Sequence, residues 1–368
     1  MSGIYHNIVA VMLAGGQGSR LFELTEDMCK PAVSIAGGRR IVDWTMANLA
    51  DCAPAHVVVA TQYRPDALIN HLNTRWREAF ASGTLHIRHG AAVTGQPEGY
   101  VGTADAVTRN LTEIMATMPD HVLVMAADHV YRMDYAAMIA AHQASGLPVT
   151  VAVDRVPLIQ SRAFGVISVD ETGRVVEFNE KPHHPKPTAT DADRALVSMG
   201  IYVFDAGWLR DTLVADHEAP MSSHDFGHDI LPTAVARGEV HAYDVALQEP
   251  NFFWRDVGTL DALRETCIAI ASGAVPCVRP GPVTFGPVTR ILPDGTVVLA
   301  GGRVKRGAQL RNVIVAPGAD VPAELVVGFN RYQDEQHFRV TPLGTVLISP
   351  AMLARHADYQ ARVNLLRA

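Results

Sequence analysis

The sequence predicts an α/β protein: a doubly wound, mostly parallel sheet followed by a short C-terminal domain of left-handed β-helix type. Three observations carry that expectation. Apolar runs at 8–14, 56–61 and 121–127 lack a helical period, as strands buried on both faces of a parallel sheet do. Segments with helical spacing alternate with them, at 41–50, 65–80 and 134–145. From about Pro276 onward prolines break any helix, and Val298, Val304, Leu310 and Ala316 recur at six-residue steps with Gly or small residues at the corners. The expected division is 1–275 and 276–368.

Taken in order, the run Ile8 to Ala14 opens the sheet, and Gly15, Gly16 and Gly18 follow at once. Ile41, Trp44, Thr45 and Leu49 fall on neighbouring turns of a helix. His56 to Thr61 is the second buried strand, and it puts Gln62 at its C-terminal end, where open α/β sheets place ligand contacts. A helix over 65–80, a short strand over 85–89 and a Gly- and Pro-containing loop over 93–100 come next. Gly102 to Val107 opens another helix, with Thr103 or its neighbour as N-cap. The strand 121–127 ends in Asp128-His129. A helix over 134–145 leads to a strand over 148–154. Gly165 to Phe178 reads as a hairpin about Glu171-Thr172-Gly173, and 183–193 as an exposed polar loop. Ser198 to Phe204 is strand-like. Helices over 225–237 and 259–272 flank Trp254-Arg255-Asp256-Val257-Gly258. Phe338 to Pro350 holds two more strand-like runs, and 351–368 is an amphipathic helix.

Bulk properties exclude several classes. The chain has 368 residues, enough for one large domain and a smaller one. Its 48% apolar and 19% charged residues are those of a globular enzyme rather than a disordered chain. A net charge of −7 argues against nucleic-acid or membrane-surface partners, so any phosphate site must supply its own cations. The four cysteines, Cys29, Cys52, Cys267 and Cys277, form no zinc or disulfide pattern; Cys29, beside Lys30, is the one with a cation at hand. The N-terminus lacks a basic and apolar leader, which predicts a cytoplasmic protein.

The chemistry concentrates where the strands end. A glycine-rich turn after a buried strand lets backbone N–H groups approach an anion, and Arg20 and Lys30 add fixed positive charge. Neither Gly-Lys-Ser/Thr nor Gly-x-Gly-x-x-Gly is present, since position 21 is Leu. Asp128 at a strand end suits Mg²⁺, which prefers hard oxygen ligands, and Asp256 is the natural second ligand. His129, His224 and His228 share no metal-ligand spacing and read as satisfied or exposed histidines.

The string from Leu13 to Leu21, Leu-Ala-Gly-Gly-Gln-Gly-Ser-Arg-Leu, with Lys30-Pro31 behind it, resembles the signature of the sugar-phosphate nucleotidyltransferases. Further stretches narrow the likeness. Gly102 to Val107, Ala127 to Tyr131, Ala163 to Val166, Glu180-Lys181-Pro182, Ser198 to Phe204, Ser223 to Gly227 and Trp254 to Thr259 are similar to those of the bacterial glucose-1-phosphate adenylyltransferases, over about 7–270. The resemblance implies a Rossmann-like nucleotidyltransferase domain that makes ADP-glucose and pyrophosphate from ATP and glucose 1-phosphate with Mg²⁺, for glycogen or α-glucan synthesis. It implies that Gly15, Gly16, Gly18, Arg20 and Lys30 hold the triphosphate, with Gln62, Gly102 and Thr103 at the adenine. Asp128 and Asp256 would bind the metal, and Arg20, Lys30 and Asp128 would act in catalysis. Tyr100, Gly165, Glu180, Lys181 and Ser198 would contact glucose 1-phosphate. A homotetramer is implied as well. Two rival readings are a related enzyme using another nucleotide and a catalytically weak regulatory subunit. Three departures stand out. Phe22 replaces a lysine that helps bind a sugar-bisphosphate activator in enteric members. Gly99 and Val101 replace a Trp and an Arg that link the regulatory and active sites there. Catalysis therefore carries over, and the usual activator response does not.

Overall fold

The computed structural model describes residues 7–80, 84–249, 252–275 and 288–367. A nine-stranded sheet forms the centre. Its parallel block runs His121–Ala126, Ile8–Ala14, His56–Thr61, Leu85–His89. Arg194–Asp205 then pairs antiparallel with His121–Ala126 and with Val149–Pro157, which in turn pairs parallel with Val240–Asp244. The expected hairpin is present as Gly165–Val169 and Val175–Glu180.

Alternation along the first strand explains the two-sided burial. Ile8, Ala10, Met12 and Ala14 join one core with Trp44, Met46, Leu49, Met138 and Ile139. Val9 and Val11 join the opposite core with Val107, Leu209, Leu213 and Leu231. Helices Val42–Cys52 and Tyr135–Ser145 thus cover one face, and Thr103–Thr108, Ala206–His217 and Leu231–Ala236 the other. Each fully buried valine of these strands is worth about 1.5–3 kcal/mol over an exposed one.

Several elements differ from the sequence reading. The helix expected over 65–80 stops at Arg75 and continues as a 3₁₀ turn, Arg77–Ala79. Gly90–Thr94 is a short helix that enters the expected loop. The N-cap before Thr103 is Gly102, and no side chain caps it; the His224 carbonyl accepts from the Ala104 and Asp105 N–H groups instead, at 2.8 and 3.2 Å. His129–Arg132 is an extra strand, antiparallel to Phe253–Asp256. Cys29, Cys52 and Cys267 are buried free thiols, and burial pushes the Cys29 thiol up to about 11, away from the thiolate form that Lys30 beside it would favour. Cys277 and the prolines at 280, 282 and 287 lie outside the described residues.

In the C-terminal part Val298 pairs with Val315, Val304 with Val321 and Leu310 with Val327, all in parallel register. Each offset is 17 residues, so one coil consumes three steps of the repeat, one residue short of three full hexapeptides. Val298, Val315, Val321 and Val327 fill the coil. Their neighbours Val297, Leu299, Ile314, Ala316 and Leu347 face outward and merge with the core of the first domain. Polar contacts rim that join: Arg264 donates to Gly295 O (2.8 Å) and Asn312 Oδ1 (2.6 Å), and Thr341 donates to Asp261 (2.7 Å). Arg339 makes a two-pronged pair with Glu23 (2.8 and 2.6 Å) and lies 4.1 Å over the Phe22 ring. No helix among the described residues is long and apolar enough to cross a membrane.

The hydrogen bond from Arg339 is the main reason the Glu23 carboxyl sits below its usual range. A depressed carboxyl contributes stability above its unfolded pKa, about 4.3, and loses it as pH falls through the folded value. Arg339→Ala is expected to cost about 1 kcal/mol at pH 7. In urea melts the gap between variant and parent should close as pH falls below about 4; a gap constant with pH would exclude the charged pair as its cause.

Candidate active site

Residues just beyond the C-terminal ends of three parallel strands, Gly15, Gln62 and Asp128, open into a cleft of ≈ 510 Å³. Gly16, Tyr100, Gly102, Thr103, Glu180 and Lys181 line it too. A roomier cleft, ≈ 730 Å³, lies between the two domains but holds neither the glycine loop nor Asp128 and Asp256.

Backbone geometry makes the glycine turn. Gly18 has φ +71°, and a Cβ there would also stand 2.7 Å from the Lys30 Cβ. Gly16 faces open space, with nothing within 4 Å of a Cβ position. The Lys30 N–H donates to the Gly16 carbonyl at 3.4 Å, so the turn folds over the lysine.

Lys30 is the electrostatic centre. Its ammonium is buried and donates to Asp128 Oδ2 at 3.0 Å and to Asp256 Oδ1 at 2.6 Å. Arg20, largely exposed, lies 3.8 Å from the other Asp256 oxygen. Burial opposes the charge on Lys30, but Asp128 and Asp256 outweigh it and raise its pKa. Burial likewise opposes ionisation of Asp128, but Lys30, then His129, hold that carboxyl far below the usual range. Asp128 therefore stabilises the fold above its unfolded pKa of about 3.9, and that share is lost as pH falls further. Lys30 contributes below about 10.4, and its share is lost as pH rises through the raised value.

His129 completes the cluster, and the sequence reading missed it. One ligand atom from each of Asp128, His129 and Asp256 lies within 4.8 Å of the others. Trp254 Nε1 donates to His129 Nδ1 at 3.4 Å, so the ring proton sits on Nε2, which faces Asp128 at 3.6 Å and Asp256 at 3.9 Å. The imidazole offers this cluster an N–H donor. The two carboxylates are then the available ligands, a hard oxygen set that fits Mg²⁺ better than a thiophilic or nitrogen-seeking ion.

The far wall is set by close backbone approaches. Gln62 exchanges two hydrogen bonds with the Tyr100 backbone, 2.9 and 2.7 Å, so its amide is fixed at the cleft edge. A Cβ on Gly102 would lie 2.2 Å from the His224 carbonyl oxygen. Thr103 donates to Asp225 Oδ2 and accepts from the Phe226 N–H, both at 2.9 Å. Asp225, which sequence reasoning did not select, also accepts from the Gly227 N–H, at 2.8 Å. Gly165 leaves room for the Phe178 ring, which a Cβ would meet at 2.4 Å, and so for Glu180 beside it. Lys181 is well exposed, pairs with Glu180 at 2.6 Å and has φ +45°. Ser198 is buried behind this wall, where its hydroxyl meets Tyr202 OH and the Gly200 N–H, both at 3.2 Å. Gly165 and Ser198 thus shape the wall from behind.

Residues 9–273 match the nucleotidyl transferase family, and residues 290–348 match the GlmU-like C-terminal hexapeptide family. Similar proteins named glucose-1-phosphate adenylyltransferase come from Methylobacillus flagellatus, 36% identical over 98% of this chain and 97% of the relative. Those from Jannaschia sp. (36%, 95% and 97%) and Corynebacterium diphtheriae (34%, 93% and 92%) are alike as well. The chain belongs to the glucose-1-phosphate adenylyltransferase family. In this family member, a nucleotidyltransferase, the glycine turn, the Lys30 cluster and the Glu180–Lys181 pair share one strand-end edge.

Two glycine variants separate packing from binding. Gly102→Ala drives a methyl into a carbonyl and should cost about 1–3 kcal/mol in denaturant melts. Gly16→Ala meets open space, so stability should hold within about 0.5 kcal/mol. Equal losses of stability in both would refute this placement of Gly16.

Proposed function

We propose that the protein transfers the adenylyl group of ATP to α-D-glucose 1-phosphate, giving ADP-glucose and pyrophosphate, for glycogen or α-glucan synthesis. The observation that carries the reading is the convergence of Lys30, Asp128 and Asp256 beside the glycine turn. A binding-only subunit has no need of both carboxylates. Asp128 and Asp256 would hold Mg²⁺, which, when bound, offsets triphosphate charge and polarises the α-phosphoryl group.

The residues of the chain supply the rest. Backbone N–H groups of the turn at Gly15, Gly16 and Gly18 receive the phosphates, and Arg20, exposed at the rim, adds charge where pyrophosphate forms. Lys181 and Glu180 take the phosphate and hydroxyls of the sugar. An oxygen of the sugar phosphate attacks the α-phosphorus as the bond to the β-phosphate oxygen breaks. Near neutral pH that oxygen is already ionised, so no general base is required. Lys30 neutralises the carboxylate pair, which would otherwise repel both each other and the incoming triphosphate. Gln62, Gly102 and Thr103 frame the adenine end through the backbone contacts that fix them, and Tyr100, which lines the same cleft, contacts glucose 1-phosphate. A homotetramer, which the family resemblance implies, belongs to the same proposal and is testable by light scattering.

Pyrophosphate release from ATP plus glucose 1-phosphate with Mg²⁺ tests the activity directly, and a nucleotide panel tests the base. No release from any nucleotide would end this reading. Asp128→Asn should lower kcat roughly 100-fold or more. Lys181→Ala should mainly raise KM for the sugar phosphate, with ATP little affected; an equal fall in kcat for both variants would remove the assigned roles.

A further inference from the structure

We propose that His121, His142 and Asp205 form a second metal site, for a zinc-like divalent cation, at the sheet edge opposite the Lys30 cluster. His121 begins the strand whose other end leads to Asp128, so the two clusters lie at opposite ends of one strand. Asp205 is the antiparallel register partner of His121, and His142 comes from the Tyr135–Ser145 helix packed on the same face.

The distances are those of a ligand set. Asp205 Oδ1 is 3.2 Å from His121 Nδ1 and 3.2 Å from His142 Nε2. One donor atom from each residue lies within 4.8 Å of the others. Tetrahedral zinc with bonds of about 2.0–2.1 Å holds its ligand atoms about 3.3 Å apart. Each ring is also oriented from behind, as metal-bound imidazoles are. His142 Nδ1 meets Thr150 Oγ1 at 2.9 Å, which turns Nε2 into the site, where it is hydrogen-bonded to Asp205 Oδ1 at 3.2 Å. His121 Nε2 lies 3.2 Å from the Gln143 amide nitrogen, and the amide O and N exchange places when the group turns over. With the amide oxygen turned to accept from that nitrogen, Nδ1 presents its lone pair to the site.

The deciding observation is His121 Nδ1 itself. It is buried and has no hydrogen-bond partner among the described residues, although the Asp205 carboxylate oxygen is 3.2 Å away. A buried ring nitrogen pays a desolvation cost unless something binds it. A cation between the three residues would satisfy both rings and the carboxylate together. The Asp205 side chain is 48% exposed, which gives the ion an entry path and a place for water as fourth ligand. Two imidazoles and one carboxylate favour Zn²⁺ over Mg²⁺, the reverse of the oxygen pair beside Lys30. A bound ion would staple the Tyr135–Ser145 helix to the strand pair beneath it.

Metal-stripped full-length protein titrated with Co²⁺ tests this, because four-coordinate Co²⁺ with nitrogen ligands absorbs strongly in the visible. One equivalent should give the band, and Zn²⁺ should displace it. His121→Ala and Asp205→Asn, each checked for native circular dichroism, should weaken Co²⁺ binding at least tenfold, whereas Asp256→Asn keeps it. Zn²⁺ should raise the Tm of the parent and not of His121→Ala. Absence of the band, its survival in both edge variants, or its loss only in Asp256→Asn would overturn the proposal. None of these readouts depends on turnover.

Discussion

The site depends on one buried ammonium held between two carboxylates. Asp128 and Asp256 would repel each other at this separation in a low-dielectric pocket, and Lys30 removes that penalty by donating to both. Its partners lie 98 and 226 residues away along the chain, so the contact closes the domain as well as preparing the site. The backbone does its share through the antiparallel pair His129–Arg132 and Phe253–Asp256, in which Asp256 stands opposite His129. Gly18 then lets the turn lie on the lysine stem, and Trp254 fixes the tautomer of His129 toward the carboxylates.

Around that centre the cleft is built more from close backbone contact than from side-chain bulk. Gly102 accepts the His224 carbonyl at a distance no side chain would permit, and this carbonyl serves as the cap of the Thr103–Thr108 helix. The arrangement joins two segments more than a hundred residues apart and leaves Asp225 free to brace Thr103. Opposite them, Phe178 packs on the bare Cα of Gly165 and sets the height of Glu180. A rigid rim of this kind fixes geometry before substrate arrives, which is what in-line phosphoryl chemistry requires.

The coiled C-terminal domain extends the same hydrophobic core. Alternate residues point into the coil and out against the first domain, so one strand surface serves two cores. Its polar contact with Glu23 and Phe22 falls on the 3₁₀ segment immediately after the glycine turn. Phe22, where enteric members carry a lysine, here spends its ring on Arg339, and Gly99 adopts φ +72° against the Gln62 amide. Both departures thus have local structural roles in this chain.

How much was legible follows from the range of each interaction. Strands at 8–14, 56–61 and 85–89, the helices beginning near 134 and 259 and the hairpin turn at Gly173 are local effects of burial pattern and turn chemistry, and the sequence by itself determined them. The six-residue period likewise fixed the coil, because repetition is visible without coordinates. The sequence also offered Asp128, at a strand end, and Asp256 as the two ligands of one metal ion. Only the tertiary structure joined them through Lys30, turned His129 into their donor, and revealed Asp225 and the His224 carbonyl as parts of the wall. Those partners meet across long chain separations, where hydropathy period and local propensity carry no information, and the short His129–Arg132 strand is specified by its partner more than by its own residues.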